Sequence, residues 1–344
     1  MKIRLRWRPA LRRQGRFLLL IGLGLAIAGA SFPTALAATN TRVSVVQAVS
    51  ADLPVLEMKS IASPVTVQEF SQQMIDKLAA EAPFTDWKDA SPIYYPLGPG
   101  THSWLVNVMN GQQRIGYMII SATDQGGYML SEYGAGTTGL PYSLSELRQL
   151  LVQQGLISSS ASDITLSALY APLLPVWKIT IDEKTFFINA SMPQILPWSL
   201  SKADAVLKGK LAANNVVTSR DDHLSPDSAY RSGGVDDPYA DLLWLTVPKL
   251  PMVSADDIMS LIPKEGSIAF QAAGRNDALG APFMITGYQR WLLHTAGSTK
   301  ENSDTTVYVA SGHAGRRYLP LSALQDNGTL HKLNGNKDSI YTDI

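Results

Sequence analysis

Acid–base or nucleophilic chemistry in this chain would have to come from five histidines and 29 carboxylates, because there is no cysteine. The histidines are His102, His223, His294, His313 and His331. No two stand at the His-x-x-x-His or His-Glu-x-x-His spacing that brings two imidazoles to one helix face for zinc. Lack of cysteine removes the thiolate nucleophile, the thiolate metal site and the disulfide together. Gly-x-Ser-x-Gly does not occur, and Ser311-Gly312-His313 is not a triad motif. Asp221-Asp222-His223, the one local acid–histidine cluster, lies in a polar stretch and reads as a solvated loop. Asp236, Asp237 and Asp241 could offer oxygens to calcium, but their spacing matches no calcium loop. Gly134-Ala135-Gly136 follows a strand-like run without opening a helix, so no phosphate cradle is expected. Catalytic residues, metal ligands and cofactors are therefore expected to be none. What remains is an aromatic and cationic set for a peptide or glycan, Trp244, Tyr288, Arg290, Trp291 and Tyr308; packing in the core is the other reading of its aromatic members.

The elements that must position these residues are legible from periodicity. Thr66-Val-Gln-Glu69 has the capping-box pattern, and Val67, Phe70, Met74 and Leu78 recur behind it at helical spacing. Strand-like runs follow at Ile93–Tyr95, Trp104–Met109, Arg114–Ser121 and Tyr128–Tyr133, broken at Asn110-Gly111 and Gly126-Gly127. Ser143-Leu-Ser-Glu146 caps a second helix that Gly155 ends. A hairpin, Val176–Ile181 and Thr185–Ala190, is followed by a short helix over Lys202–Ala213. Residues 214–240 are rich in Asn, Asp, Ser, Gly and Pro and are expected to be a linker. Beyond it a capped helix at Ser254–Ile262 precedes strands at Ile268–Gln271, Phe283–Tyr288, Thr306–Ala310 and Arg317–Leu319, and a helical turn from Ser322. The expected class is α+β, in two domains of antiparallel sheet with a few packed helices.

The two ends of the charge distribution differ. Seven of the 29 Lys and Arg fall within the first 16 residues, whereas every acid lies beyond residue 51. The basic start runs into the apolar segment Phe17–Ala30 and then Ala35-Leu36-Ala37, the three parts of a cleavable export signal. Cleavage is expected between Ala37 and Ala38; an uncleaved anchor is the other reading, but spanning a bilayer takes about 20 apolar residues. The remaining chain then carries a net charge of about −7, which disfavours nucleic acid and anionic lipid as partners. The expected organisation is signal 1–37, flexible leader 38–65, domain 66–213, linker 214–240 and domain 241–344.

Gly116–Asp124 followed by Tyr128–Gly136 resembles the propeptide region of streptopain-type cysteine peptidases, and Val176–Ala190 is similar to the closing hairpin of PepSY-like domains. Ala281–Tyr288, Val307–Val309, Gly315–Leu321 and Leu324–Gly328 resemble the C-terminal half of bacteriocin-processing-type, papain-like peptidases. That family places its histidine where this chain has Ala281 or Pro282, and its nucleophile is a cysteine. The resemblance implies a propeptide-like first domain and a peptidase-like second domain without its catalytic pair. It points to a secreted or cell-envelope, nonenzymatic protein that recognises a peptide or an extracellular peptidase, with strand addition as one mode. A secreted hydrolase using Asp and His groups and a structural cell-envelope protein are the alternatives.

Overall fold

A computed structural model describes residues 54–99, 102–157, 163–208, 215–251, 253–273, 281–293, 305–312 and 315–333. The expected export signal and its expected Ala37–Ala38 cleavage point, His294 and His313 lie outside the described residues. The fold is α+β with antiparallel sheets, as expected, and the described residues fall in one compact unit.

Four strands form the meander that the sequence announces: β1 (Ser91–Leu97), β2 (Ser103–Asn110), β3 (Gln113–Ala122) and β4 (Tyr128–Ala135). The glycines of its turns supply the positive φ the turns require, +59° at Gly111 and +81° and +88° at Gly126 and Gly127. A second sheet contains β5 (Ile164–Ala171), β6 (Leu174–Ile181), β7 (Lys184–Asn189) and β8 (Gln194–Leu196). The later strands are β9 (Leu224–Pro226), β10 (Tyr230–Arg231), β11 (Ile268–Ala272), β12 (Phe283–Leu293), β13 (Thr306–Ser311), β14 (Arg317–Pro320) and β15 (Gly328–Lys332). They do not form a sheet of their own. They continue the meander in the order β1-β2-β3-β4-β14-β13-β12-β11-β15, joined where Tyr133 faces Tyr318.

Residues 214–240 are therefore not a break between two packed domains. β12 is 11 residues long, and β11 pairs with only its first three, so backbone groups along the rest of that edge need partners. β10 supplies them at Gly287 and Tyr288, and β9 at Trp291–Leu293. The leader reading is corrected too: Leu56 is 6% exposed, and with Met58 it packs among Leu97, Leu105 and Leu147. Residues 38–53 lie outside the described residues.

Successive residues on a strand face opposite sides, so the large sheet presents two apolar surfaces. One is continuous across both halves. Phe70, Met74 and Leu78 of α1 (Val65–Leu78) pack there with Val106, Met118, Tyr133, Tyr308 and Tyr318. The other is covered in two ways. Over β2 and β3 lie β6 and α2 (Leu144–Gln153), through Trp177, Ile179, Leu147 and Leu151. Over β11–β14 lie α4 (Ala255–Glu265) and α5 (Leu321–Asn327), through Ile258, Ile262 and Leu324. Before α4 in the chain, α3 (Leu200–Leu207) closes the outer face of the small sheet with Ala203 and Leu207.

Two caps are as read and one is not. Ser143 accepts from the Glu146 N–H, and Ser254 with Asp257 forms a full capping box. At α1 the Ncap is Pro64; Thr66 lies inside the first turn, and its hydroxyl instead meets the Tyr128 hydroxyl at 3.1 Å.

Candidate functional site

The five residues expected to form a binding surface do not come together on one. Trp244, Trp291 and Tyr308 are 1%, 0% and 0% exposed. Trp291 and Tyr308 pack around Tyr133 beneath α1, with ring centroids 6.3 and 5.0 Å from it. Trp291 Nε1 donates to the Tyr133 hydroxyl, and the Tyr308 hydroxyl donates to the Leu130 carbonyl at 2.6 Å. Each polar tip has a partner, so these aromatics serve the core. Tyr288 stacks on Tyr230, and Arg290 pairs with Asp227.

A buried ion pair lies at the joint between β4 and β14. Arg317 Nε and Nη2 donate to Glu132 Oε1 and Oε2 at 2.8 and 3.0 Å, a fork-on-carboxylate geometry. Glu132 Oε1 also accepts from the Tyr117 hydroxyl at 2.6 Å. Arg317 Nη1 also donates to Ser191 Oγ and Nη2 to the Leu173 carbonyl, both at 3.1 Å. Burial alone would lower the Arg317 guanidinium, but the facing Glu132 charge holds it above its ordinary value. Burial, then the Glu132 charge, pushes the Tyr117 hydroxyl well up. The cluster links five chain segments, and the carboxylate is fully buried among them. It is a structural lock.

The histidines that can be described do not meet a carboxylate. His102 and His223 are exposed. His331 is buried against the Trp244 ring, with its nitrogens 3.2 Å from Thr329 Oγ1 and 3.4 Å from the Val247 carbonyl. The acids of Asp221-Asp222-His223 are engaged in structure: Asp221 Oδ2 accepts from Thr218 N and Oγ1, and Asp222 Oδ1 accepts from Gln73 Nε2. Among the described residues no three His, Asp or Glu gather for a metal, and no helix is long and apolar enough to cross a membrane.

Strand addition finds little purchase on the large sheet. Pro92 and Pro96 cannot donate to β2, so they occupy the outward-facing positions of edge strand β1. By alternation Tyr94 alone among Pro92–Pro96 offers an outward N–H. The opposite edge, β15, is met by Leu250 N–H on the Leu330 carbonyl at 2.8 Å.

What the surface does offer is an open groove of about 640 Å³ between α1 and the β3–β4 turn. Thr66, Glu69, Phe70 and Gln73 line the helix side, at the i, i+3, i+4, i+7 positions of one helical face. Thr123, Gly126, Gly127 and Tyr128 line the turn side, with Ser219 at the end. The walls are tied together. Tyr128 and Ser219 exchange bonds, Tyr128 N–H to Ser219 Oγ at 3.0 Å and Ser219 N–H to the Tyr128 carbonyl at 2.8 Å. The Tyr128 ring stacks on Phe70, 6.4 Å between centroids. A Cβ on Gly127 would stand 2.4 Å from Ser219 Oγ, so the bare backbone there is required by the close approach. Glu69 is the one carboxylate in the lining, which contains no imidazole. The groove thus offers fixed hydroxyls, one amide, one negative charge and bare backbone, which is hydrogen-bonding equipment without an acid–base pair. The sequence carried a signal for it in Gly126-Gly127 and in the Thr66–Glu69 pattern that resembles a cap.

Set against protein-family models, curated proteins and solved structures, the chain matches none of them.

Proposed function

We propose that this is an exported, nonenzymatic binding protein that recognises a peptide segment, free or presented by an extracellular peptidase. The observation that carries the reading is the groove between α1 and the β3–β4 turn. Its walls are braced, its lining is rich in hydroxyl and amide groups, and it lacks the paired titratable side chains that bond cleavage requires. The export signal read from the first 37 residues and the propeptide-like pattern of Gly116–Gly136 support the same reading. A braced site suits binding because little ordering remains to be done when the ligand arrives.

The test is to pass a mixed synthetic peptide library over the purified chain and to read retained and released peptides by mass spectrometry. Retention of intact peptides is expected, and Glu69→Gln and Gly127→Val should each weaken it, with Glu69→Gln, at an exposed helix position, leaving the unfolding midpoint close to that of the parent. Retention indifferent to both substitutions, or release of shortened peptides, overturns the proposal.

A further inference from the structure

A second surface, sharing no residue with the groove, stands out for the opposite chemistry. Thirteen large apolar side chains are exposed among the described residues, and five of them fall within Val235–Leu245: Val235, Tyr239, Leu242, Leu243 and Leu245, each 50–57% exposed. Scattered exposed apolar residues need no explanation, but a cluster of this kind marks a contact surface.

The segment is not a loose loop that failed to bury its leucines. Leu242–Thr246 is a 3-10 turn held from below by Trp244, which is fully buried against Ala269 and Met284. Trp244 Nε1 donates to the Pro238 carbonyl at 2.8 Å, and the ring meets His331 edge-on at 5.5 Å. Asp241 Oδ1 accepts from the Leu243 N–H, Asp237 Oδ1 from the Tyr239 N–H, both at 2.8 Å, and Thr246 Oγ1 donates to the Leu243 carbonyl at 2.7 Å. One tryptophan is anchored so that three leucines are held outward.

The charge around the leucines selects the occupant. Asp237 and Asp241 are exposed, each uses one oxygen within the turn, and among the described residues neither forms an ion pair with a cation. A second copy of the same face would bring like charges together, and an anionic bilayer would be repelled. We infer that Val235–Thr246 is a docking platform for a protein segment that presents apolar side chains flanked by lysine or arginine. The apolar centre would supply the affinity and the aspartate rim the choice of partner. The inference does not rest on the groove, and either site can fail without the other.

The probe is a fluorescein-labelled peptide of alternating leucine and lysine, followed by anisotropy against the full chain, with a leucine–glutamate peptide of the same length beside it. The lysine peptide should bind and the glutamate peptide should not. Leu242→Ser, Leu243→Ser and Leu245→Ser combined should weaken binding about tenfold or more, as expected for removing a central apolar cluster. Because these side chains are half exposed, the triple variant should keep the parent's tryptophan fluorescence and unfolding midpoint. Asp237→Asn with Asp241→Asn should weaken binding several-fold and flatten its salt dependence. Full affinity in the triple variant, or equal binding of both peptides, overturns the inference. So does self-association in sedimentation equilibrium, or co-sedimentation with zwitterionic vesicles, when either is abolished by the triple variant; each of those results assigns the face to a different occupant.

Discussion

The joint between β4 and β14 and the turn at Leu242–Thr246 are both built around aromatic side chains, yet they treat polarity in opposite ways. At the joint, charged groups are buried and each nitrogen of Arg317 meets a carboxylate, hydroxyl or carbonyl from another chain segment. At the turn, leucines are left in solvent while the adjacent Trp244 is buried. Burying a charged pair within its hydrogen bonds makes the joint specific at a desolvation cost. Exposing apolar groups on a braced turn costs little in the free protein and leaves that free energy for a partner. Buried charge here belongs to architecture, and exposed hydrocarbon to recognition.

Several substitutions can break or sharpen this contrast. The largest effect is expected from Glu132→Gln, which leaves the Arg317 guanidinium buried without its counter-charge. A loss of about 3–5 kcal/mol in urea unfolding is expected, as for other buried pairs broken on one side. A loss below about 1 kcal/mol would mean that water reaches the joint. Trp291→Ala should cost about 3–5 kcal/mol, as for other buried aromatics replaced by alanine. Because the surface beneath α1 is shared by both halves, calorimetry should show one transition in parent and variant. Two separable transitions would restore the division at 214–240. Ser254→Ala, which removes one side of the capping box at α4, should cost about 1 kcal/mol. The same cap has a pH signature. The Ser254 backbone N–H, then its hydroxyl, hold the Asp257 carboxyl below the usual range, so its contribution is complete above the unfolded-state value and lost as pH falls through the lowered one. An acid titration of Asp257 by NMR should therefore place it below an unstructured aspartate. The smallest effect is expected at Leu243→Ser, within about 0.5 kcal/mol of the parent in stability despite losing a leucine.

How much of this was legible in the sequence depended on how local the determining interaction is. The meander, the hairpin Val176–Ala190 and the caps at Ser143 and Ser254 are set by residues a few positions apart, and they appear where the pattern places them. β5 went unread even though it is eight residues long, and its pairing with β6 gives it a defined place. β9 and β10 are three and two residues long and become strands only because β12 leaves its edge open to them. The continuity of the sheet rests on Tyr133 opposite Tyr318, a pairing that no window of sequence contains. Trp244, Trp291 and Tyr308 fit a core by residue type and a groove as the rarer case, and their neighbours place them in the core. The open groove escaped for a related reason: Thr66 could cap a helix or face Tyr128, and only the placement of the β3–β4 turn decides between them.

The junction of β4 with β14 also constrains how the chain can be made and cut. Arg317 is 185 positions beyond Glu132, so the part of β4 beyond Leu130 gains its neighbour on that side only once β14 is made, whereas Tyr128–Leu130 are met there by residues 217–219. A product ending before β14 would present the outer peptide groups of the second half of β4, around Tyr133, with Glu132 lacking its counter-charge. Pairing across such a separation is slow to form, so premature termination or clipping near the C-terminus yields a species prone to stick to itself rather than a smaller working module.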